Sequence, residues 1–160
     1  MHTIEGTHMA AGFRFAIVVS KYNDFVTDRL QAGALAALAA AGVGADDVTV
    51  VRVPGAFEIP IAAQHAAETG TYDAIICLGC VIRGATPHFE YIASAVANGL
   101  MSASAATGIP MTFGVLTTNS VEEAMERAGE GTSNKGLEAA VAAVEMATVV
   151  AQLTRQPSAT

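Results

Sequence analysis

Charge is scarce in this chain. Only 14% of its 160 residues are charged, with 8 Lys and Arg against 15 Asp and Glu, for a net charge of −7. No basic stripe is present to displace counterions, so neither nucleic acid nor an anionic membrane is expected as a partner. Cysteine is almost as rare, limited to Cys77 and Cys80. Their CxxC spacing invites a redox or zinc reading. Both fall in a run that reads as a buried strand, where residues three apart point to opposite faces. A redox CxxC belongs at a helix start, and zinc would need two further ligands nearby. Core packing is the expectation. The amino terminus, Met1-His2-Thr3-Ile4-Glu5-Gly6, lacks a basic cluster followed by an apolar run, so no secretory leader is expected. The stretch Ile92–Val121 has no charge, yet Gly108-Ile109-Pro110 breaks it. It reads as a buried helix and a strand, not the roughly 20 apolar residues of a membrane span. Repeats, linkers, GxGxxG and Walker motifs are missing too. A single soluble, cytoplasmic domain is expected over 1–160, with an irregular arm at 1–12 and a tail at 155–160.

Apolar residues are abundant, at 52%, and many are alanine. That is more than a small monomer needs, and it points to tight helix packing and subunit interfaces. Four short apolar runs read as strands: Phe13–Ser20, Val48–Val53, Ala74–Val81 and Met111–Thr117. Helical segments follow at Asp24–Ala41, Ile59–Thr69, His88–Ala106, Val121–Ala128 and Gly136–Thr154. The first places Leu30, Ala34, Leu38 and Ala41 on one face, with Gly42 as a stop. The last places Leu137, Val141, Val144, Thr148 and Ala151 on one side, while Val149, Val150 and Leu153 widen its apolar surface. Alternating strands and helices predict an α/β fold, a three-layer α/β/α sandwich on a four-stranded parallel sheet covered on both faces.

Such sheets bind ligands outside the carboxyl ends of their strands. The loops there are Ser20–Asp24, Pro54–Glu58, Val81–His88 and Thr117–Ser120. They carry Lys21, Tyr22, Phe57, Glu58, Arg83 and His88, while Arg127 and Lys135 flank the connection Gly129–Asn134. Cations at loop ends of an acidic protein suggest an anionic ligand. In Gly84-Ala85-Thr86-Pro87-His88, small residues before a helix start would expose N–H groups to phosphate. An ordinary turn capped by Thr86 or Pro87 is the equal alternative. His88 can serve as a proton shuttle or as a helix-start surface group. His2 and His8 in the arm and His65 in a helix have weaker claims. Glu58 suits a helix start electrostatically in any case. Phe57, Tyr22 and Phe113 are either packing residues or platforms for a planar heterocycle.

Taken together, Val53-Pro54-Gly55-Ala56-Phe57-Glu58-Ile59-Pro60, the run from Gly79 to Tyr91, Gly114-Val115-Leu116-Thr117-Thr118, Arg127-Ala128-Gly129 and Asn134-Lys135-Gly136 resemble lumazine synthases. The resemblance runs in register from about Ile4 to Ala147. It implies a flavodoxin-like strand order and a transferase of riboflavin biosynthesis. That enzyme joins 5-amino-6-(D-ribitylamino)uracil to 3,4-dihydroxy-2-butanone 4-phosphate, with loss of phosphate and water. By resemblance, Tyr22 stacks on the pyrimidine, at a position usually Phe or Trp. Ala56, Phe57 and Glu58 hold the ribityl chain, and Cys80, Val81 and Ile82 meet the uracil edge. Ala85, Thr86 and Arg127 bind the phosphate, with Lys135 nearby, and His88 transfers protons. Phe113 comes from a neighbouring subunit. The family implies pentamers, in some members twelve of them in an icosahedral shell, with riboflavin synthase a candidate partner. Neither metal nor organic cofactor is implied. A carrier of flavin or lumazine on the same scaffold would need no proton shuttle, which separates that rival from an enzyme. The connection Gly129–Gly136 is short, as in shell-forming members, although Glu130-Gly131-Thr132-Ser133 departs from their usual wording.

Overall fold

The computed structural model describes residues 1–155. Its elements alternate as the apolar runs demand: β1 (Phe15–Ser20), α1 (Asp24–Ala40), β2 (Val48–Val53), α2 (Ile59–Glu68), β3 (Ala74–Ile82), α3 (His88–Thr107), β4 (Met111–Thr118), α4 (Val121–Glu126) and α5 (Lys135–Arg155). The four strands are all parallel in the order β2-β1-β3-β4. This is the flavodoxin-like order, with the switch point between β1 and β3.

The sheet separates two apolar clusters. Phe15, Ile17 and Val19 of β1 join Ile76, Leu78 and Cys80 of β3 beneath α1 and α5. On the other face Ala16, Val18, Ile75, Cys77 and Val81 pack with Ile59 and Ala63 of α2 and Val96 and Leu100 of α3. The period-2 alternation of a strand sends neighbouring residues to these opposite clusters. Only the central strands β1 and β3 are buried on both faces. Helices flank both faces of the sheet as expected, while edge strand β2 leaves Thr49, Val50 and Arg52 exposed and edge strand β4 leaves Phe113 exposed. An edge strand has a neighbour on one side only.

Several boundaries move for local reasons. Phe13 and Arg14 precede β1, because the Arg14 N–H donates to the Asp73 carboxylate instead of to a ladder carbonyl. Helix α4 ends at Glu126. Arg127 and Ala128 then form a turn whose Arg127 carbonyl accepts the Lys135 N–H at 2.8 Å. Arg155, read as the start of a tail, is the last residue of α5, and the expected tail positions 156–160 lie outside the described residues. Residues 1–12 form no helix or strand. This arm lies against α5, where the Thr7 N–H donates to Thr148 Oγ1 and the Gln152 amide donates to the Glu5 carbonyl.

The buried face of α5 differs from the expected stripe. Gly136, Ala139, Ala140, Ala143, Val144, Ala147 and Thr148 are buried, while Leu137 and Ala151 are half-buried and Val141 is 37% exposed. Close approach to α1 decides this. A Cβ at Gly136 would collide with the Leu30 backbone, and one at Gly33 would collide with the Asn134 side chain. Neither position accepts a Cβ, and alanines fill most of the rest of the buried face. By length and composition α5 could cross a membrane, but its alanine face belongs to the core.

Candidate active site

Two adjacent strand ends open the main cavity. The chain past β1 stays bonded to the segment at the end of β2: the Lys21 N–H donates to the Val53 carbonyl at 2.8 Å and the Tyr22 N–H to the Pro54 carbonyl at 3.0 Å. Asn23 then reverses the chain in the left-handed region (φ 64°), which asparagine tolerates better than most residues. Its amide donates to the Cys80 carbonyl at 2.9 Å and so ties the β1 loop to the end of β3. Asn23 was not singled out from the sequence. An Asn directly before a helix that opens with Asp24 was the available signal.

The resulting cavity has a volume of about 950 Å³. Its wall contains Tyr22, Ala56, Phe57, Glu58, Cys80, Val81, Ile82, Thr86 and His88, nine of the positions expected to form a site. Tyr22, Phe57 and Tyr91 all line it and remain largely exposed, at 73%, 63% and 73%. Large aromatics left in water around one concavity are unusual in a folded chain. They offer ring faces to a planar ligand. Ala56 is buried and Glu58 half-buried in the short 3₁₀ turn that leads into α2.

At the far end of the cavity, α3 begins without a side-chain cap, with Pro87 in the capping position. That removes capping by Thr86 as the reason for the residue. Gly84, Thr86 and His88 line the cavity here; Ala85 is exposed but is not part of the wall. Uncapped N–H groups at a long helix start attract an anion. The loop is steadied by Arg83, whose Nε donates to Asn119 Oδ1 at 2.9 Å while Nη1 contacts Glu90 Oε1 at 3.2 Å. Its guanidinium lies 4.8 Å from the centre of the Phe89 ring. Arg83 is therefore committed to neighbours within the chain.

Phe113, Arg127 and Lys135 are absent from this wall. They line a second cleft of about 510 Å³ along β4, α5 and the turn after α4, together with Thr112 and Glu138. Phe113 is half exposed there, and the Arg127 guanidinium donates only to the Glu123 carbonyl, at 3.1 Å. Lys135 already pairs with Glu138 at 2.7 Å. Of the two cations in this cleft, Arg127 contacts no carboxylate among the described residues, so it is free to meet a ligand. One chain thus holds the expected residues in two separate concavities.

Cys77 and Cys80 face opposite clusters across the sheet, and both are free thiols. Burial pushes the Cys77 thiol up to about 12 and the Cys80 thiol up to about 11, the opposite of a reactive thiolate. Among the described residues, no cluster of His, Cys, Asp and Glu is placed to hold a metal ion.

The fold, the strand-end cavity with its aromatic rim, and the histidine and threonine at an uncapped helix start converge on one lineage. Residues 12–151 match the family model of 6,7-dimethyl-8-ribityllumazine synthase, and the chain belongs to that family.

Proposed function

We propose that this chain condenses 5-amino-6-(D-ribitylamino)uracil with 3,4-dihydroxy-2-butanone 4-phosphate to give 6,7-dimethyl-8-ribityllumazine, phosphate and water. The observation that carries the reading is the division of the site residues. A large cavity with an aromatic rim and a separate cleft with an unpaired Arg127 are the two halves of one site, if each is completed by a neighbouring subunit.

In this reading the pyrimidine lies against Tyr22, with its polyol chain along Ala56, Phe57 and Glu58 and its polar edge toward the backbone of Cys80, Val81 and Ile82. The ketose phosphate sits at the start of α3, where Ala85 and Thr86 meet the phosphate. Arg127 and Lys135 of the adjacent subunit close over it, and that subunit's Phe113 covers the ring. The pyrimidine amine attacks the ketone, loss of water leaves an imine, phosphate departs, and the ribityl-bearing nitrogen closes the second ring with loss of water. His88 carries protons between these steps. Holding two reactants in register can supply roughly 7–11 kcal/mol of a barrier, so positioning outweighs any single group.

The same reading makes the assembly at least a pentamer of single-domain subunits. The outward apolar side chains Met101, Val121, Val141 and Leu153 are exposed in one chain and need cover. The short turn Gly129–Gly136 leaves room for twelve pentamers to close into a shell. Riboflavin synthase is the partner, and the cytoplasm the compartment, that go with this chemistry.

The test is an absorbance assay for lumazine formation from the two purified substrates, with and without chelator. Turnover unaffected by chelator is expected. No product, or strict dependence on a divalent ion, would refute the reading. Light scattering separates the assemblies: a monomer defeats the shared site, whereas a stable lone pentamer defeats only the shell.

A further inference from the structure

The cations of the second cleft are held by a residue that neither lines the cleft nor meets solvent. Asn134 is 4% exposed, between the turn after α4 and the first residue of α5. Its Nδ2 donates to the Gly129 carbonyl at 2.9 Å and to the Arg29 carbonyl of α1 at 3.1 Å. Its Oδ1 accepts from the N–H groups of Gly136 at 2.8 Å and Leu137 at 3.1 Å. Every donor and acceptor of the amide is thereby used. The side chain fits only because residue 33 on α1 is glycine.

Helix capping explains half of this arrangement. The Oδ1 atom satisfies the exposed N–H groups at the start of α5, a task that Ser or Asp performs equally well. The Nδ2 bonds are superfluous to a cap. They fasten the turn to α1 across a gap of 105 residues in sequence and to the carbonyl two residues beyond Arg127. The turn is closed from within as well, because the Lys135 N–H donates to the Arg127 carbonyl at 2.8 Å. Arg127 and Lys135 are thus the two ends of one short loop, and the Asn134 amide anchors that loop to the body of the protein.

We propose that Asn134 is a positioning residue for the Arg127–Lys135 cation pair, and that its amide donors set how tightly the ketose phosphate binds. This rests on the reading of the second cleft as the phosphate-binding half of the site. Losing the donors removes the bonds to the Arg29 carbonyl of α1 and to the Gly129 carbonyl, and so frees the turn to shift relative to α1. A cation displaced by an ångström still attracts phosphate but no longer meets its oxygens squarely.

The experiment compares steady-state constants for the wild type, Asn134→Asp, Asn134→Ser and Arg127→Ala, with Leu38→Val as a core-weakened control. Both Asn134 variants keep an oxygen acceptor for the cap and lack the amide donors. The serine variant adds no buried charge, so it carries the test if the aspartate protein fails to fold. Since small misplacements at a site have large kinetic effects, the expected result is a KM for the ketose phosphate raised about tenfold in the Asn134 variants. Inhibition by inorganic phosphate should weaken in parallel, with the pyrimidine KM unchanged. Leu38→Val should lower the melting temperature and move neither KM. If the Asn134 variants lose thermal stability alone, the residue is only a cap and the inference is overturned. If Arg127→Ala also leaves the ketose-phosphate KM unchanged, the phosphate reading of the cleft is itself wrong and the inference falls with it.

Discussion

His88 and Arg127 line separate concavities of one chain, of about 950 and 510 Å³, and the two walls share no residue. In the function proposed above, His88 moves protons and Arg127 holds the same substrate's phosphate, which requires the cavity of one subunit to face the cleft of the next.

This relationship predicts complementation. His88→Ala and Arg127→Ala proteins, each impaired alone, should regain activity when coexpressed or refolded together. Random mixing makes roughly one interface in four fully native, with the intact cavity from one variant and the intact cleft from the other. Mixed oligomers no more active than the two pure variants would show that each chain completes its own site.

His88→Ala by itself should lower kcat about 10²-fold, the low end for a lost general acid–base group, because positioning dominates. Both KM values should stay near wild type. A kinetically silent substitution would reduce His88 to the first residue of α3.

Alkaline pH should expose the cost of burying Cys77. Its thiol is raised from the ordinary value of 9.0 to about 12 in the folded protein. The folded state therefore resists ionisation, while the unfolded chain ionises near 9.0. The stability this contributes is full below pH 9 and is lost as pH climbs toward 12. Urea midpoints measured across that window should fall less steeply for Cys77→Ala than for wild type. Under native conditions near neutrality, thiol reagents should leave Cys77 unmodified; rapid modification would contradict the packing role.

Gly136→Ala should destabilise the fold by at least about 1–3 kcal/mol, the usual range for overpacking, because its Cβ would strike the Leu30 backbone. Gly44→Ala is the comparison. Its backbone is ordinary (φ −71°) and its Cβ would find only Asp47 Oδ2, at 3.7 Å. Near-neutral or slightly favourable stability is expected there. Equal denaturant midpoints for the two variants would show that α5 can move off α1 freely.

Much of the fold was legible because its signals are local. The runs around Ile17 and Ile76 read as buried strands, and they are the central ones. Val53 to Pro60 and Gly79 to Tyr91 were legible as site segments because strand ends of a parallel sheet collect functional residues. The roles of Asn23 and Asn134 were not. Asn23 matters through a bond to residue 80, and Asn134 through bonds to residue 29. No local pattern encodes such partners.

The amino-acid sequence by itself determined the order and type of the elements, the opposite facing of Cys77 and Cys80, and the family. These follow from side-chain period and from motifs contiguous along the chain. The tertiary structure decided which face of α5 is buried and which strands are edges. It also decided that Phe113, Arg127 and Lys135 stand apart from His88. The physical reason is close packing. Alanine, valine and leucine are all apolar in a sequence, but at the closest points between α5 and α1, Gly136 against the Leu30 backbone and Gly33 against the Asn134 side chain, even a Cβ does not fit. Such contacts between segments far apart in sequence exist only once the chain has folded.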